Sequence, residues 1–392
     1  KEKIFARQKQ YFSGETSGVI FGAKLKDEPR PIKKVKTGKT RMFYPAPLDY
    51  LILARQVLAP IFTLMVQHRN IFNMSVGINM FAEGQAFYDY FAEFADSEDC
   101  VFDGDYGGFD TSMPYDIGLA AASVMVKLAE RLGYNSEALA LVRGVMSDSL
   151  FPIIELDTDV FKIAGLMISG GYGTAEFNCI RNNLLMMYYF ATTNGLTLSD
   201  YDTKFRKTTY GDDTTGVVKR SIQHLFNNVL YARYCESVLG MEFTSPDKTV
   251  NDVPLRKLEQ LTFLKRTFVV HPQFNVRMAV LDVESIAKSL KWTIPSEALS
   301  RTDQIIATAN SALWEMFMHL DRKKFDFFRD SLIAQIRTSY GVDIGSKDIA
   351  SNWISICKVL CPNAMELREV EALSSDQNLV VPSYDSDDMS EF

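Results

Sequence analysis

The stretch TTYGDDTTGVV, residues 208–218, limits the fold more than any other, because two strand-forming runs flank a Gly-Asp-Asp that has to turn. Threonine, tyrosine and valine favour a pleated, half-buried surface, while Gly and Asp tolerate the dihedrals of a tight hairpin. The chain therefore needs an antiparallel hairpin, and the hairpin sets Asp212 and Asp213 side by side at its tip. Adjacent carboxylates repel and raise each other's pKa unless a cation sits between them. No basic residue stands within four positions on either side. Taken alone, the stretch fits a plain turn as well as it fits a cation seat.

The rest of the chain narrows the choice. At 392 residues it exceeds what one hydrophobic core usually serves, so two or three sub-domains are expected. Helical apolar spacing marks residues 48–68, 115–132 and, in pieces, 296–337, with Pro295-Ser296 reading as a helix start. Strand patterns mark CVFDGDY, SLFPIIEL, the two arms of the hairpin and LTFLKRTFVV. Strands and helices interleave without a regular βαβ period, so an α+β fold is predicted, with helices dominating from about residue 275. The five cysteines are odd in number and mostly far apart, and no zinc pattern completes the close pair Cys357 and Cys361. A reducing compartment fits that pattern. No apolar run approaches membrane-spanning length and no signal-peptide pattern opens the chain, so a soluble intracellular chain is expected.

Charge is distributed unevenly. The net charge is −7, which ordinarily argues against a polyanion partner. Yet residues 1–41 hold 12 Lys or Arg against 4 acids, and residues 366–392 hold 8 acids against Arg368 alone. A basic N-terminal segment and an acidic tail, expected to be disordered, hint at polyanion binding by the body.

Three further segments carry candidate chemistry. KLKDEPRPIKKVKTGKTRMFYPAP contains GKT, but Lys33 stands where a Walker A loop needs its first Gly, so that reading fails. What remains is a Pro-punctuated basic ribbon that, if extended, groups Lys34 and Lys36 on one face and can hold a triphosphate. VFDGDYGGFDTSMP places Asp103, Asp105 and Asp110 where a strand meets a Gly-Gly loop; the same acids also suit the capping of a helix near Pro114. GLMISGGYGTAEFNCIRNN runs from a Gly-rich loop into a helix on which Thr174 and Asn178 share a face, beside Asn182 and Asn183. With Ser169 they can read hydroxyls, or simply form a polar helix face. Read together, Asp105 and the doublet supply a seat for two divalent ions of the kind that clamp phosphoryl transfer.

The order of basic ribbon, D-x4-D, S-G-x-x-G-T-x3-N, Y-G-D-D, P-D-K and F-L-K-R resembles the RNA-dependent RNA polymerases of picorna-like positive-strand RNA viruses, over roughly residues 24–270. The resemblance implies a right-hand α+β polymerase with palm sheet, Gly-Asp-Asp hairpin and helical thumb. Asp105, Asp212 and Asp213 are then the catalytic metal aspartates, with two Mg2+ ions for which Mn2+ substitutes. It implies that Lys248 protonates the pyrophosphate leaving group. Arg30, Lys34, Lys39 and Arg41 would clamp the triphosphate, and Asp110, Ser169, Thr174 and Asn178 the incoming sugar. Gly170, Lys265 and Arg266 would contact RNA. Expected partners are RNA template and primer, ribonucleoside triphosphates, a protein primer and other viral replication proteins, in membrane-associated complexes of the host-cell cytoplasm.

Implied boundaries are fingers at 1–62 with the basic ribbon, palm at 63–150, a fingers insertion at 151–168, palm again at 169–271, thumb at 272–365 and the tail at 366–392. Departures from the family pattern are the short segment before Lys26, which reads as a fragment of a longer polymerase, and Ile168 and Tyr172 in the Gly-rich loop, which point toward arthropod or marine-protist virus lineages. Two rivals follow. One is a reverse transcriptase or another template-copying polymerase, against which Asp110 weighs because a hydroxyl-reading site selects ribose. The other is a truncated fragment that binds RNA without turnover.

Overall fold

The computed structural model describes residues 1–38, 40–246, 252–341 and 348–362. Lys39, Lys248 and the expected tail lie outside the described residues. The chain divides into two compact units, Lys1–Ile78 with Asp89–Leu264, and Asn79–Tyr88 with Lys265 onward. Helices and antiparallel sheets mix in an α+β architecture, as the patterning predicts.

In the first unit, α1 (Leu48–Gln67) follows the predicted 48–68 segment closely. Contrary to the sequence expectation, it is long and apolar enough, by length and composition alone, to cross a membrane. Eight of its residues, among them Leu53, Leu58, Ile61 and Met65, are buried in the unit's core, which is the usual reason for such a helix in a folded domain. Strand β1 (Asp99–Gly107) comes next, then α2 (Tyr115–Arg131) and α3 (Ser136–Leu150). The expected strand in SLFPIIEL begins only at Ile153, because its first residues finish α3 ahead of Pro152, which cannot continue a helix. Helix α4 (Thr174–Thr192) carries the predicted polar face. Strands β2 (Phe205–Tyr210) and β3 (Asp213–Val218) are the two arms of the acidic hairpin, followed by β4 (Glu242–Thr244) and β5 (Arg256–Lys257).

The sheet runs β5-β1-β3-β2, all antiparallel, with β4 pairing the far end of β1. Phe102, Phe190, Phe205, Phe226 and Tyr231 pack beneath it with ring centroids 4.7 to 6.2 Å apart along their contacts. Burying each such ring is worth roughly 1.5–3 kcal/mol, so the sheet that bears the acids rests on a stiff aromatic layer. The opening segment also packs inward: Tyr11, from the helix Glu2–Phe12, donates a 2.5 Å hydrogen bond to Asp148 on α3.

The second unit joins a hairpin of β6 (Arg266–Val270) and β7 (Arg277–Leu281) to α5 (Val283–Lys291), α6 (Arg301–Phe317), α7 (Arg322–Tyr340) and α8 (Trp353–Leu360). Phe317, Phe325 and Trp353 form its core. The run LTFLKRTFVV is broken at Leu264 and Lys265, both in the left-handed region with φ of 51° and 60°. Helix α6 starts later than Pro295-Ser296 predicts: Ser300 caps it by accepting from the Asp303 N–H, while Ser296 accepts from Ala298 and Leu299 in a separate turn.

Candidate active site

The hairpin closes through a two-residue turn, since Tyr210 pairs directly with Asp213. Gly211 takes a left-handed φ of 64°, which leaves Asp212 at the tip and Asp213 as the first residue of β3. Asp105 lies at a fork in the sheet. Gly104 pairs with Thr214 of β3, whereas Asp105, one residue on, pairs with Thr244 of β4. The strand is therefore held by pairing up to Asp105, a half-buried acid whose charge acts on Asp212 at the hairpin tip. Turn and acid site are the same object. Asp103, two residues earlier, is buried, with its carboxylate 3.3 Å from Arg256 and hydrogen-bonded by Thr262. That charge is neutralised within the fold and takes no part in the site.

The carboxyl of Asp212 reaches solvent, but surrounding protein atoms desolvate it and raise its pKa. The charges of Asp105 and Asp110 add to that rise, and Arg41 opposes it. The basic ribbon and the acidic tip thus act on one another. Among the described residues no three His, Cys, Asp or Glu side chains form a cage that would hold a metal unaided. Two hard carboxylates with an open side fit Mg2+, which prefers a few carboxylates supplemented by water and substrate phosphates.

A second cluster surrounds Asp110. Ser169 donates to one carboxylate oxygen and Asn178 donates to the other at 3.1 Å, so three of the four residues expected at the sugar stand together. The Thr174 hydroxyl instead donates to the carbonyls of Ile168 and Gly171 at 3.1 and 2.9 Å. It braces the Gly-rich loop. Gly170 has a φ of 125°, and a Cβ there would stand 2.8 Å from the Tyr44 carbonyl oxygen. The Tyr44 N–H donates to the Ser169 carbonyl at 2.8 Å, which ties this loop to the segment leaving the ribbon.

The ribbon is not extended throughout. Lys24–Leu25 pairs with Met42–Phe43, but Ile32–Lys36 between them forms a short helix that begins behind Pro31. In a helix, residues two apart point in different directions, so the shared face expected of Lys34 and Lys36 is lost. Arg30 and Arg41 both approach Glu28, at 3.3 and 3.8 Å. In the second unit Arg266 is committed to Glu315 through contacts of 2.5 and 2.9 Å, and it also donates to the Ala279 carbonyl. Lys265, beside it, is exposed.

Sequence reasoning missed the residues that hold the hairpin from below. Asn182, fully buried on α4, donates through Nδ2 to Thr214 Oγ1 at 2.7 Å and to the carbonyls of Gly211 and Asp212 at 3.1 and 3.3 Å. Its Oδ1 accepts from Tyr106 at 3.2 Å, and Tyr106 also bonds to Tyr231. One side chain thus links the strand of Asp105 to the turn of Asp212. The Gly211 N–H points to Cys179 Sγ at 3.2 Å. The only available signal was the spacing of Asn178 and Asn182, four apart on a single helix.

A family model described as viral RNA-dependent RNA polymerase matches residues 3–323. The Replicase polyprotein of Drosophila C virus (strain EB) is 27% identical over 336 residues, covering 82% of this chain and 19% of the polyprotein. The Genome polyprotein of Deformed wing virus is 28% identical, over 80% of this chain and 11% of that protein. The Genome polyprotein of Human hepatitis A virus genotype IA (isolate HAS-15) is 28% identical, over 82% and 15%. The chain therefore spans a small part of the polyproteins it matches. Among solved structures, the Sicinivirus 3Dpol RNA dependent RNA polymerase superposes with a TM-score of 0.73 at 19% identity, over 91% of this chain and 70% of that one.

Proposed function

The chain belongs to the viral RNA-dependent RNA polymerase family, with relatives in picorna-like virus polyproteins, and we propose that its acid site extends RNA by one ribonucleotide at a time during viral genome replication. The observation that carries this reading is the Asp110 carboxylate, gripped on both oxygens by Ser169 and Asn178 beside the Asp105–Asp212 pair. A site that hydrogen-bonds a 2′-hydroxyl rejects substrates lacking it far better than an apolar pocket does, which weighs against deoxynucleotide synthesis.

In this reading Asp105 and Asp212, with Asp213 assisting, would hold two Mg2+ ions. Such ions neutralise the phosphate oxygens and lower the pKa of the attacking 3′-hydroxyl. Arg41, Arg30, Lys34 and Lys39 orient the triphosphate so that its α-phosphate faces that hydroxyl and pyrophosphate leaves in line. Lys248 gives a proton to the departing pyrophosphate. Asp110 reads the sugar, Thr174 keeps the loop in shape, and Gly170 and Lys265 lie along the RNA. The first compact unit supplies fingers and palm, and the second supplies the thumb. Template, primer, a protein primer and replication partners in the host cell complete the assembly.

Primer extension on an RNA template tests the reading. Asp212→Asn is expected to abolish incorporation of ribonucleotides while the variant still binds RNA. Near wild-type incorporation would refute the metal role. RNA binding without synthesis by the unmodified chain would favour the non-catalytic rival, and preferred use of deoxynucleotides would favour a reverse transcriptase.

A further inference from the structure

Between Asn178 and Asn182 on α4 lies Arg181, a cation with 0% of its surface exposed. None of its three guanidinium nitrogens has a hydrogen-bond partner among the described residues. A buried charge without hydrogen bonds is strongly unfavourable unless something nearby offsets it. Two features do so. The guanidinium lies over the Phe177 ring, 4.7 Å from its centroid, and the Asp110 carboxylate supplies an opposite charge. Burial draws the Arg181 pKa down to about 10, with Asp110 opposing the fall, so the group stays charged at neutral pH.

The space for it is built in. Gly118 on α2 faces the guanidinium, and a Cβ there would stand 3.1 Å from Nη2 and 3.5 Å from Cζ. Three groups on different elements interact with the Asp110 charge: Tyr44 after the ribbon, Asp212 on the hairpin and Arg181 on α4. Arg181 is the cation of the three. Ser169 and Asn178 each donate to one oxygen of the Asp110 carboxylate, so its position is fixed from two sides.

We infer that Arg181 is a positioning residue for sugar selection: from its buried seat on α4 it supplies the counter-charge that holds the Asp110 carboxylate in the grip of Ser169 and Asn178, and so sets how strongly the site prefers a 2′-hydroxyl. This role presupposes the polymerase reading above, in which Asp110 senses the sugar. It adds a contributor that touches neither substrate nor metal and acts only through Asp110.

The test is the ratio of ribo- to deoxyribonucleotide incorporation by the full chain on a primed RNA template. It is measured for Arg181→Met, Arg181→Lys and Gly118→Ala, and for Arg181→Met combined with Asp110→Asn. Removing the charge is expected to lower the ratio about tenfold, the scale of one weakened charge-assisted hydrogen bond. Arg181→Lys restores most of the preference, and Gly118→Ala, which crowds the guanidinium without deleting it, lowers the ratio in the same direction. With Asp110→Asn in place, Arg181→Met changes the ratio by no more than about twofold. Should Arg181→Met fail to fold, judged by its thermal melt, the Lys and Gly118 variants decide the matter. A wild-type ratio in Arg181→Met, or an equal fall when Asp110 is already Asn, overturns the role of Arg181 and leaves the polymerase reading intact. An unmodified chain with no preference for ribose overturns both.

Discussion

Replacing Asn182 with Leu removes the amide that ties the two acid-bearing strands together while keeping the number and branching of side-chain heavy atoms. The amide nitrogen has two protons, so of its three contacts the two shortest, to Thr214 Oγ1 at 2.7 Å and to the Gly211 carbonyl at 3.1 Å, are the bonds to count. Both acceptors are buried. Leaving each unsatisfied costs about 1–2 kcal/mol, so the variant should lose about 2–4 kcal/mol of stability. For a domain of this size that is a fall of about 5–15 °C in melting temperature. Tyr106 keeps its bond to Tyr231, so the strand of Asp105 stays in place and the turn of Asp212 relaxes. A displacement near 1 Å at reacting groups costs about a hundredfold in rate. The assay pairs thermal melting with single-nucleotide incorporation across a Mg2+ titration. Leu185→Ala serves as the control, because Leu185 is fully buried on the same helix and its truncation costs about 2–5 kcal/mol. The control should lose stability but keep its Mg2+ dependence, whereas Asn182→Leu should need more Mg2+ and turn over about a hundredfold more slowly. If Asn182→Leu melts early yet incorporates at the control's rate and Mg2+ midpoint, Asn182 is only a packing residue.

Two further outcomes follow from the same geometry. The pKa of Asp212 is raised in the folded chain, so the fold disfavours its charged form; the stability it contributes is present below the ordinary carboxylate pKa and is lost as pH rises through the folded value. Without divalent ions, Asp212→Asn should therefore melt above the unmodified chain at pH 8, with the gap closing as pH falls toward 4; a gap that widens toward acid would mean that burial and the neighbouring acids do not penalise the charged carboxyl. Asn178→Ala takes away one of two donors to Asp110 and should reduce ribose preference about tenfold with Mg2+ dependence unchanged, as read from competing ribo- and deoxynucleotides; an unaltered preference removes Asn178 from the sugar site.

Local chemistry explains which features were legible in the sequence. The strand-favouring residues that flank Gly-Asp-Asp in TTYGDDTTGVV fix both strands and the turn, and the strand-to-glycine change after Asp105 marks where β1 ends. Ser169 and Asn178 were legible only through the ordered motifs of the family resemblance, because a Gly-rich loop feeding a polar helix face fits an ordinary turn as well. The extended ribbon failed because Pro31 can start a helix as readily as it punctuates a strand. The ion pair of Arg266 with Glu315, 49 positions away, is not visible in the local sequence. The bond from Tyr11 to Asp148, 137 positions apart, and the bonds from Asn182 to the hairpin are likewise tertiary facts with no local periodicity behind them.

Direct counting of bound Mn2+ by electron paramagnetic resonance, with a non-hydrolysable ribonucleoside triphosphate present, bears most closely on whether Asp105 and Asp212 share a pair of cations. The unmodified chain should take up about two ions per molecule, as a two-ion phosphoryl-transfer site does, and Asp105→Asn and Asp212→Asn should each drop to one or none. Undiminished uptake in both variants would mean that the hairpin tip and the sheet fork hold no metal between them.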